Sequence, residues 1–173
     1  NKEKLYESSI RFFSDRRLRK KNIGYYGKNF KTFSLACKRN KFTPEKLTSK
    51  DNSELQFLLI DLTDELKKIE TKKEFLDLKT KVLKIINKKI DLLNHRRFIC
   101  VLAQNRYLNK NYLPIAWDLA KSIGTILSLK DEKVICLNKK NEFINQNNCF
   151  DPKKDFFYQL FFRKDEDEEL NKL

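Results

Sequence analysis

The residues best suited to bind a ligand lie in one stretch near the start of the sequence, where basic and aromatic side chains are interspersed. This stretch has no acidic residue and ten basic ones: Arg16, Arg17, Arg19, Lys20, Lys21, Lys28, Lys31, Lys38, Arg39 and Lys41. Lysine and arginine neutralise RNA phosphates and release their counterions, and the rings of Tyr25 and Tyr26 can stack on unpaired bases. The stretch therefore predicts an RNA-binding site.

A second, smaller basic cluster contains Arg96 and Arg97, with Arg106 and Lys110 further along the sequence. We include Arg96 and Arg97 among the predicted RNA-binding residues. Two less specific interpretations stay open. In one, the first stretch is a solvated basic arm whose rings pack on helices. In the other, the second cluster is a solvated helix end.

The formal net charge of +14 is concentrated in the first part of the 173 residues. Residues 1–50 hold 15 basic and 4 acidic side chains, whereas residues 51–173 hold 23 and 20. The abundance of Phe, Tyr, Ile, Asn and Lys indicates A/T-rich codons, which explain part of the lysine excess. Such a bias does not remove acids from one stretch, so the N-terminal concentration indicates a polyanionic partner. An acidic run from Asp165 to Glu169 is typical of a solvated tail.

The composition argues against most catalytic and cofactor sites. A single histidine disfavours a histidine-based metal cage, and three glycines disfavour a glycine-rich phosphate loop. We therefore predict no catalytic residue, no metal, no cofactor and no small-molecule substrate. No apolar run approaches the roughly 18 residues that a membrane span needs. Buried reduced thiols are expected, because no CxxC pair occurs among Cys37, Cys100, Cys136 and Cys149.

Helical periodicity dominates the elements that must position these residues. One apolar series follows the spacing of a helical face: Leu55, Leu58, Leu59, Leu62, Leu66 and Ile69. Thr71 and Glu74 have the spacing of a capping box, and further helices are expected to begin near Asn94, Pro114, Asp131 and Asp151. No stretch alternates strictly enough to predict a strand. The expected fold is all-α, with helical hairpins in a bundle or short α-solenoid and a basic, partly extended N-terminal arm.

Two adjoining segments carry a resemblance to a known family. Residues 83–93 read LKIINKKIDLL, and residues 98–107 read FICVLAQNRY and are followed by a further apolar segment. Together they resemble the heptatricopeptide and octotricopeptide (RAP-related) helical repeats of organellar RNA-binding proteins in protists. The resemblance extends over residues 43–124 at most. It implies stacked helical hairpins and RNA binding, and no base-reading residue is carried over from it.

These patterns predict a basic N-terminal helix and arm (1–42), an α-helical body (43–164) and an acidic tail (165–173). The charge difference between arm and body favours a non-catalytic structural subunit of a mitochondrial ribosome. Such a subunit binds ribosomal RNA in the matrix through its basic region and contacts neighbouring proteins through its body. The alternative is a peripheral soluble subunit of a mitochondrial respiratory or ATP-synthase complex, whose basic arm contacts anionic lipid or acidic protein loops.

Overall fold

The fold is mixed α/β. The computed structural model describes residues 2–47, 53–108, 111–136 and 156–165. Six strands form one sheet, and two further strands form a separate hairpin. The prediction of an all-α fold made of helical hairpins is therefore wrong. The region predicted to be a partly extended arm also belongs to the folded unit, because residues 22–39 form a strand of the sheet and a helix.

Eight strands and five α-helices make up the described residues. The strands are β1 (Asn22–Tyr26), β2 (Thr43–Lys46), β3 (Leu55–Asp61), β4 (Leu93–Ala103), β5 (Arg106–Leu108), β6 (Asn111–Leu113), β7 (Ser128–Cys136) and β8 (Phe156–Arg163). The helices are α1 (Lys2–Phe13), α2 (Phe30–Arg39), α3 (Thr63–Leu66), α4 (Lys72–Lys89) and α5 (Ile115–Ile123). A 3₁₀ turn at Ile90–Leu92 joins α4 to β4.

The strand order places the parallel strands on one side of the sheet. The order is β2-β1-β3-β4-β8-β7; the first four strands are parallel, and β8 runs antiparallel to both of its neighbours. The chain crosses from β1 to β2 through α2 in one direction and from β3 to β4 through α4 in the other. Because such crossovers are right-handed, α2 and α4 lie on opposite faces of the sheet.

Each face of the sheet has its own apolar core. Helices α1 and α2 cover one face, where Tyr6, Ile10 and Phe33 are fully buried. Helices α4 and α5 cover the other, where Val82 and Leu119 pack. Strand β3 lies between the two cores, and all seven of its residues are buried.

This double burial explains why helical periodicity failed as a guide. A strand covered on both faces is apolar at consecutive positions, so its residues also satisfy the spacing of a helical face. Leu55, Leu58 and Leu59 consequently lie in β3. The helices expected after Asn94 and Asp131 are strands β4 and β7, and the last expected helix is β8. Residues 98–107, which the repeat resemblance assigns to a helix, lie in β4, β5 and the turn between them.

Two of the expected helix starts are confirmed. Thr71 accepts a hydrogen bond from the Glu74 N–H, and the Glu74 carboxylate accepts one from the Thr71 N–H, which is the capping box that begins α4. Pro114 directly precedes α5. Asp151 and the acidic run after Asp165 lie outside the described residues.

The parallel strands give the sheet two different ends. At the carboxyl end, β1 and β3 finish at Tyr26 and Asp61. At the amino end, the same strands begin at Asn22 and Leu55. Charged residues collect at both ends, but in different arrangements.

Candidate nucleic-acid interface

Five arginines from two distant parts of the chain line one open cleft at the amino end of the sheet, which we call the arginine cleft. Arg11, Arg16 and Arg17 come from the end of α1 and the loop that follows it, and Arg96 and Arg97 come from β4. The cleft has a volume of about 840 Å³. Phenylalanines form its apolar walls: Phe12, Phe13, Phe42 and Phe98. The structure thus brings together four of the arginines that the sequence predicts to bind RNA.

Asn40 orients two of these arginines from beneath the cleft. This fully buried residue follows α2, and its side-chain oxygen accepts hydrogen bonds from Arg11 Nε and from the Arg16 guanidinium, each at 2.9 Å. Its amide nitrogen donates to the Ala36 carbonyl at 2.8 Å, which fixes the side chain. Because the amide is neutral, these bonds position both guanidinium groups without cancelling their charge.

Gln56 on β3 fixes the loop that follows α1. Its fully buried side chain accepts a hydrogen bond from the Asp15 N–H at 2.9 Å and donates one to the Lys20 carbonyl. A loop packed against the protein must satisfy its backbone groups, and one glutamine amide here provides both a donor and an acceptor. The basic loop 15–20 is therefore tied to the central strand at both of its ends.

Arg96 and Arg97 project from an irregularity in β4. The paired register advances from 55 to 57 along β3 and from 93 to 98 along β4, so the additional residues of β4 leave the ladder. Arg96 adopts a left-handed conformation, with φ of 55°. Its N–H donates to the Lys164 carbonyl at 3.1 Å, and the Lys164 N–H donates to the Arg97 carbonyl at 3.0 Å. The bulge is thus a fixed feature that carries two adjacent arginines into the cleft.

Asp15 is the one acidic side chain among the described residues that line the cleft. Two nitrogens of the Arg17 guanidinium bind its carboxylate, each at 3.1 Å. These bonds, with a smaller contribution from the Arg97 charge, lower the pKa of Asp15 below its ordinary value. Ser14 Oγ is buried in the same wall and makes no hydrogen bond to the described residues.

A second basic hollow continues along the amino end of the sheet. Arg19, Lys20 and Lys21 line it next to Asn22 of β1, and its volume is about 560 Å³. Lys20 pairs there with Glu54. Because one short loop supplies cations to both cavities, the predicted residues from Arg16 to Lys21 form a continuous basic surface.

The two tyrosines of the predicted site are not part of this surface. Tyr25 is buried and stacks on Phe33, with ring centroids 4.5 Å apart. Tyr26 is also buried and donates its hydroxyl proton to Glu65 at 2.9 Å. Burial is the largest cause of the raised pKa of both tyrosines. Their rings are used for packing and leave no face for a base.

The remaining basic residues of the predicted site lie around α2 and do not line the cleft. Lys28 precedes α2, and a hydrogen bond with Lys68 lowers its pKa. Arg39 forms ion pairs with Glu3 and Glu7 of α1. Three others are exposed: Lys31, Lys38 and Lys41. Lys110 of the second basic cluster lies outside the described residues.

Seven of the residues that line the cleft were not predicted: Arg11, Phe12, Phe13, Ser14, Asp15, Phe42 and Phe98. Residues 11–15 and Phe42 directly flank the acid-free stretch, and Phe98 directly follows Arg97. The adjacency to basic residues was therefore a usable signal. The sequence carried no signal that these two segments lie side by side, because their proximity depends on the pairing of β3 with β4 in the sheet.

A different charged cluster lies at the carboxyl end of the sheet. Lys2 Nζ of α1 lies 3.1 Å from Asp61 Oδ2, 2.8 Å from Thr63 Oγ1 and 2.7 Å from Asp64 Oδ2. Tyr6 donates its hydroxyl proton to Asp61, and the Thr63 N–H donates to the other Asp61 oxygen at 3.0 Å. Burial, followed by the Asp61 charge, raises the pKa of Tyr6, so this hydroxyl stays protonated. We call this cluster the carboxyl-end network.

Cys37 and Cys100 are buried free thiols in the core beneath α1 and α2. Burial raises the pKa of Cys37 to about 12 and also raises the pKa of Cys100. Both thiols therefore stay protonated and unreactive at neutral pH, as the sequence predicts for these two positions. Cys149 lies outside the described residues.

Within the described ranges, no helix combines the length and the apolar character needed to cross a bilayer.

Comparison with known proteins assigns no family to this chain. No protein-family model matches the sequence, and no curated protein matches it.

Proposed function

We propose that this protein is a non-catalytic RNA-binding subunit of a ribonucleoprotein assembly and that it holds RNA phosphates in the arginine cleft. One observation carries the proposal: five arginines from two separate segments converge on one open cavity, and Asp15 is the single acid among the described residues that line it. Arg11 and Arg16 are held in place by a neutral amide, so their charge is preserved. A concave surface with this charge is suited to a polyanion.

The choice of arginine supports binding rather than catalysis. Guanidinium groups stay protonated at all physiological pH values, so they do not act as general bases. Their planar donors instead match the geometry of phosphate oxygens and can bind two of them at once. The cleft thus has the chemistry for positioning phosphates.

The alternation of arginines with phenylalanines favours RNA over a simpler anionic surface. Phosphates need cations, whereas bases need apolar or aromatic contacts. The walls of the cleft supply both, since Phe12 and Phe98 lie next to Arg11 and Arg97 in the sequence. A lipid headgroup or an acidic protein loop would use the cations alone.

The assembly that we propose is a mitochondrial ribosome, with the protein in the matrix. The support is the charge distribution: the first fifty residues carry most of the net charge, and the rest of the sequence is nearly balanced. The basic part, together with Arg96 and Arg97, would bind ribosomal RNA, and the rest of the balanced part would contact neighbouring proteins.

The direct test is the salt dependence of RNA binding by the whole protein. Fluorescence anisotropy of a labelled single-stranded RNA is measured across a salt series. If the cleft neutralises about four phosphates, the slope of log K against log salt is roughly −3. An affinity that does not change with salt would contradict the proposal.

Variants locate the binding surface. We expect Arg16→Ala combined with Arg97→Ala to weaken binding at least about tenfold and to reduce the salt slope by about 1.4, because two phosphate contacts are lost. The matched control is Lys31→Ala with Lys38→Ala, which removes the same charge from the exposed surface of α2. Equal effects of the two pairs would show that net charge, and not the cleft, is responsible.

The assembly is tested by sedimentation of the tagged protein with and without RNase. Comigration with a ribosomal subunit, lost after RNase treatment, is the expected result. Migration with a membrane complex that resists RNase would instead support a peripheral subunit of a respiratory or ATP-synthase complex.

A further inference from the structure

Phe12 lies at the arginine cleft with most of its ring in water. It is 75% exposed, which is the largest value among the large apolar side chains of the described residues. It belongs to the last turn of α1, whose next residue, Phe13, is buried in the core. Single exposed apolar residues are common on protein surfaces, so it is the position of this ring on the wall of a cationic cleft that makes it a candidate contact for a ligand.

The ring is held in place from below. Phe13 meets Phe12 in an edge-to-face contact, with centroids 4.8 Å apart and an interplanar angle of 73°. Phe13 in turn stacks on Phe57 of β3, at 5.4 Å and 15°. Phe12 is therefore a braced surface on a rigid helix, and a ligand that packs on it loses little side-chain entropy.

A lysine lies over the exposed ring, and arginines adjoin Phe12 in the lining of the cleft. Lys133 of β7 places its Nζ 5.3 Å from the Phe12 ring centroid, and Arg11 precedes Phe12 in the same helical turn. Arg16 lies across Asn40 from Arg11, because both donate to the same amide oxygen. If the base of a nucleotide stacked on Phe12, the arginines of the cleft would therefore be close to the phosphates on either side of that nucleotide.

We propose that the arginine cleft takes an unpaired nucleotide of single-stranded RNA, with its base stacked on Phe12 and its flanking phosphates held by Arg11 and Arg16. This inference rests on the proposed RNA-binding function and specifies its ligand. A paired base inside a duplex has both faces covered by its neighbours, so it cannot stack on a side chain. A cavity of about 840 Å³ has the size of a small-ligand site, which suits one or two nucleotides.

An acidic peptide is the main competing ligand for a cationic cleft. It would bind the guanidinium groups, but its carboxylates gain nothing from a phenylalanine ring. The contribution of Phe12 therefore distinguishes the two ligands.

The test uses the whole protein and three labelled probes: a short single-stranded RNA, the same strand annealed to its complement, and a polyglutamate peptide. We expect Phe12→Ala to weaken single-strand binding between about 5-fold and about 150-fold and to leave duplex binding unchanged. Phe12→Trp should retain single-strand affinity, because the indole also stacks. The matched control is Trp117→Ala, which removes an exposed aromatic residue that does not line the cleft.

A spectroscopic readout detects the stacking itself. In a Trp117→Phe background, Phe12→Trp provides a fluorophore at the cleft, and bound RNA should quench its emission. Circular dichroism confirms that each variant is folded.

The outcomes separate this inference from the proposed function. Equal single-strand affinity of Phe12→Ala and the unmodified protein would overturn the stacking, while RNA binding by the arginines would stand. Tighter binding of polyglutamate than of RNA, with no effect of Phe12→Ala, would assign the cleft to an acidic protein partner and overturn it as well. Absence of RNA binding by the unmodified protein would refute the proposed function itself.

Discussion

The two ends of the sheet carry charge in opposite ways. In open α/β sheets, ligands normally bind at the carboxyl ends of the strands, where the strand order reverses. In this protein that position lies between β1 and β3, and the carboxyl-end network fills it: Lys2 contacts Asp61, Thr63 and Asp64. At the amino end, by contrast, five arginines line a cleft with a single aspartate.

The difference lies in what satisfies each charge. Asp61 is fully buried and meets a cation, a phenol and a backbone N–H of its own chain, so its charge is satisfied within the protein and loss of any partner would be destabilising. Arg11 and Arg16 meet a neutral amide that orients them. We infer that charge paired within the chain holds α1 on the sheet, and that charge anchored by neutral groups is kept for a ligand.

The largest expected effect is on stability at the carboxyl end. Asp61→Ala leaves the Tyr6 hydroxyl and the Thr63 N–H without their buried acceptor, while Lys2 keeps Asp64 as a partner. At about 1–3 kcal/mol for each unsatisfied buried group, we expect a loss of about 3–5 kcal/mol in the free energy of unfolding. Urea denaturation measures this loss. Asp77→Ala, an exposed acid on α4, is the control and should change stability by less than about 0.5 kcal/mol.

Asp61→Asn keeps the shape of the side chain and serves as a milder variant where Asp61→Ala does not fold. Its RNA affinity should equal that of the unmodified protein. Loss of RNA binding in a folded Asp61→Asn protein would contradict the assignment of RNA binding to the amino end of the sheet alone.

The next effect is on RNA binding at the amino end. Arg16→Glu combined with Arg97→Glu should lower RNA affinity about 100-fold, which corresponds to about 2.7 kcal/mol, because acids now face the phosphates. Stability should change by less than about 1 kcal/mol, since Arg16 is exposed and Arg97 is partly exposed. Anisotropy and urea denaturation measure the two quantities.

The same charge change at the other end is the control for this reversal. Lys67→Glu with Lys68→Glu alters exposed lysines near the carboxyl-end network. A comparable loss of RNA affinity in this pair would mean that RNA binds over the whole surface.

Gln56 is the residue whose replacement should change both properties. Gln56→Leu leaves the Asp15 N–H and the Lys20 carbonyl without partners, so we expect a loss of about 2 kcal/mol in stability. The released loop should also weaken RNA binding about fivefold, because its arginines are no longer pre-positioned. Gln159→Leu removes another buried glutamine, which donates to Ser9, and should affect stability alone. Identical RNA affinities of the two variants would show that the hydrogen bonds from Gln56 to the loop 15–20 have no part in RNA binding.

The smallest expected effect comes from the one acid of the cleft. Asp15→Asn keeps the acceptor oxygen for the Arg17 N–H and removes the negative charge, so RNA affinity should rise by less than about fivefold at low salt. The gain should disappear in high salt, where surface charges are screened. Asp77→Asn removes the same charge outside the cleft, and an equal gain there would assign the effect to net charge.

Two of the local capping signals in the sequence predicted helix starts correctly, but others lie in strands, and the tertiary arrangement was not predicted. The capping box of Thr71 and Glu74 and the helix start after Pro114 depend on a few adjacent residues, and both are confirmed. The apolar series from Leu55 was assigned to a helix, because its burial on two faces removes the alternation that identifies a strand. The spacing of apolar residues does not show whether one face or both faces of an element are buried.

The candidate site shows the same division. A basic stretch without acidic residues identified Arg16 and Arg17 as candidates, and a second, shorter basic cluster identified Arg96 and Arg97. Their convergence depends on the pairing of β3 with β4 and on the bulge at 93–98, neither of which has a local signature. For Tyr25 the structure agrees with the alternative interpretation, in which the rings of the stretch pack on helices, because Tyr25 is buried and stacks on Phe33 of α2.

Helix α1 is in contact with both ends of the sheet. Its first turn is tied to the carboxyl-end network through Lys2, and its last turn presents Arg11 and Phe12 to the arginine cleft. RNA held as proposed binds only the docked helix, so occupancy and docking are thermodynamically linked. At a ligand concentration of 100 times Kd, this linkage adds about 2.7 kcal/mol to docking. A protease should consequently cleave α1 faster in the RNA-free protein than in the RNA-bound protein. Limited proteolysis would then distinguish the two forms.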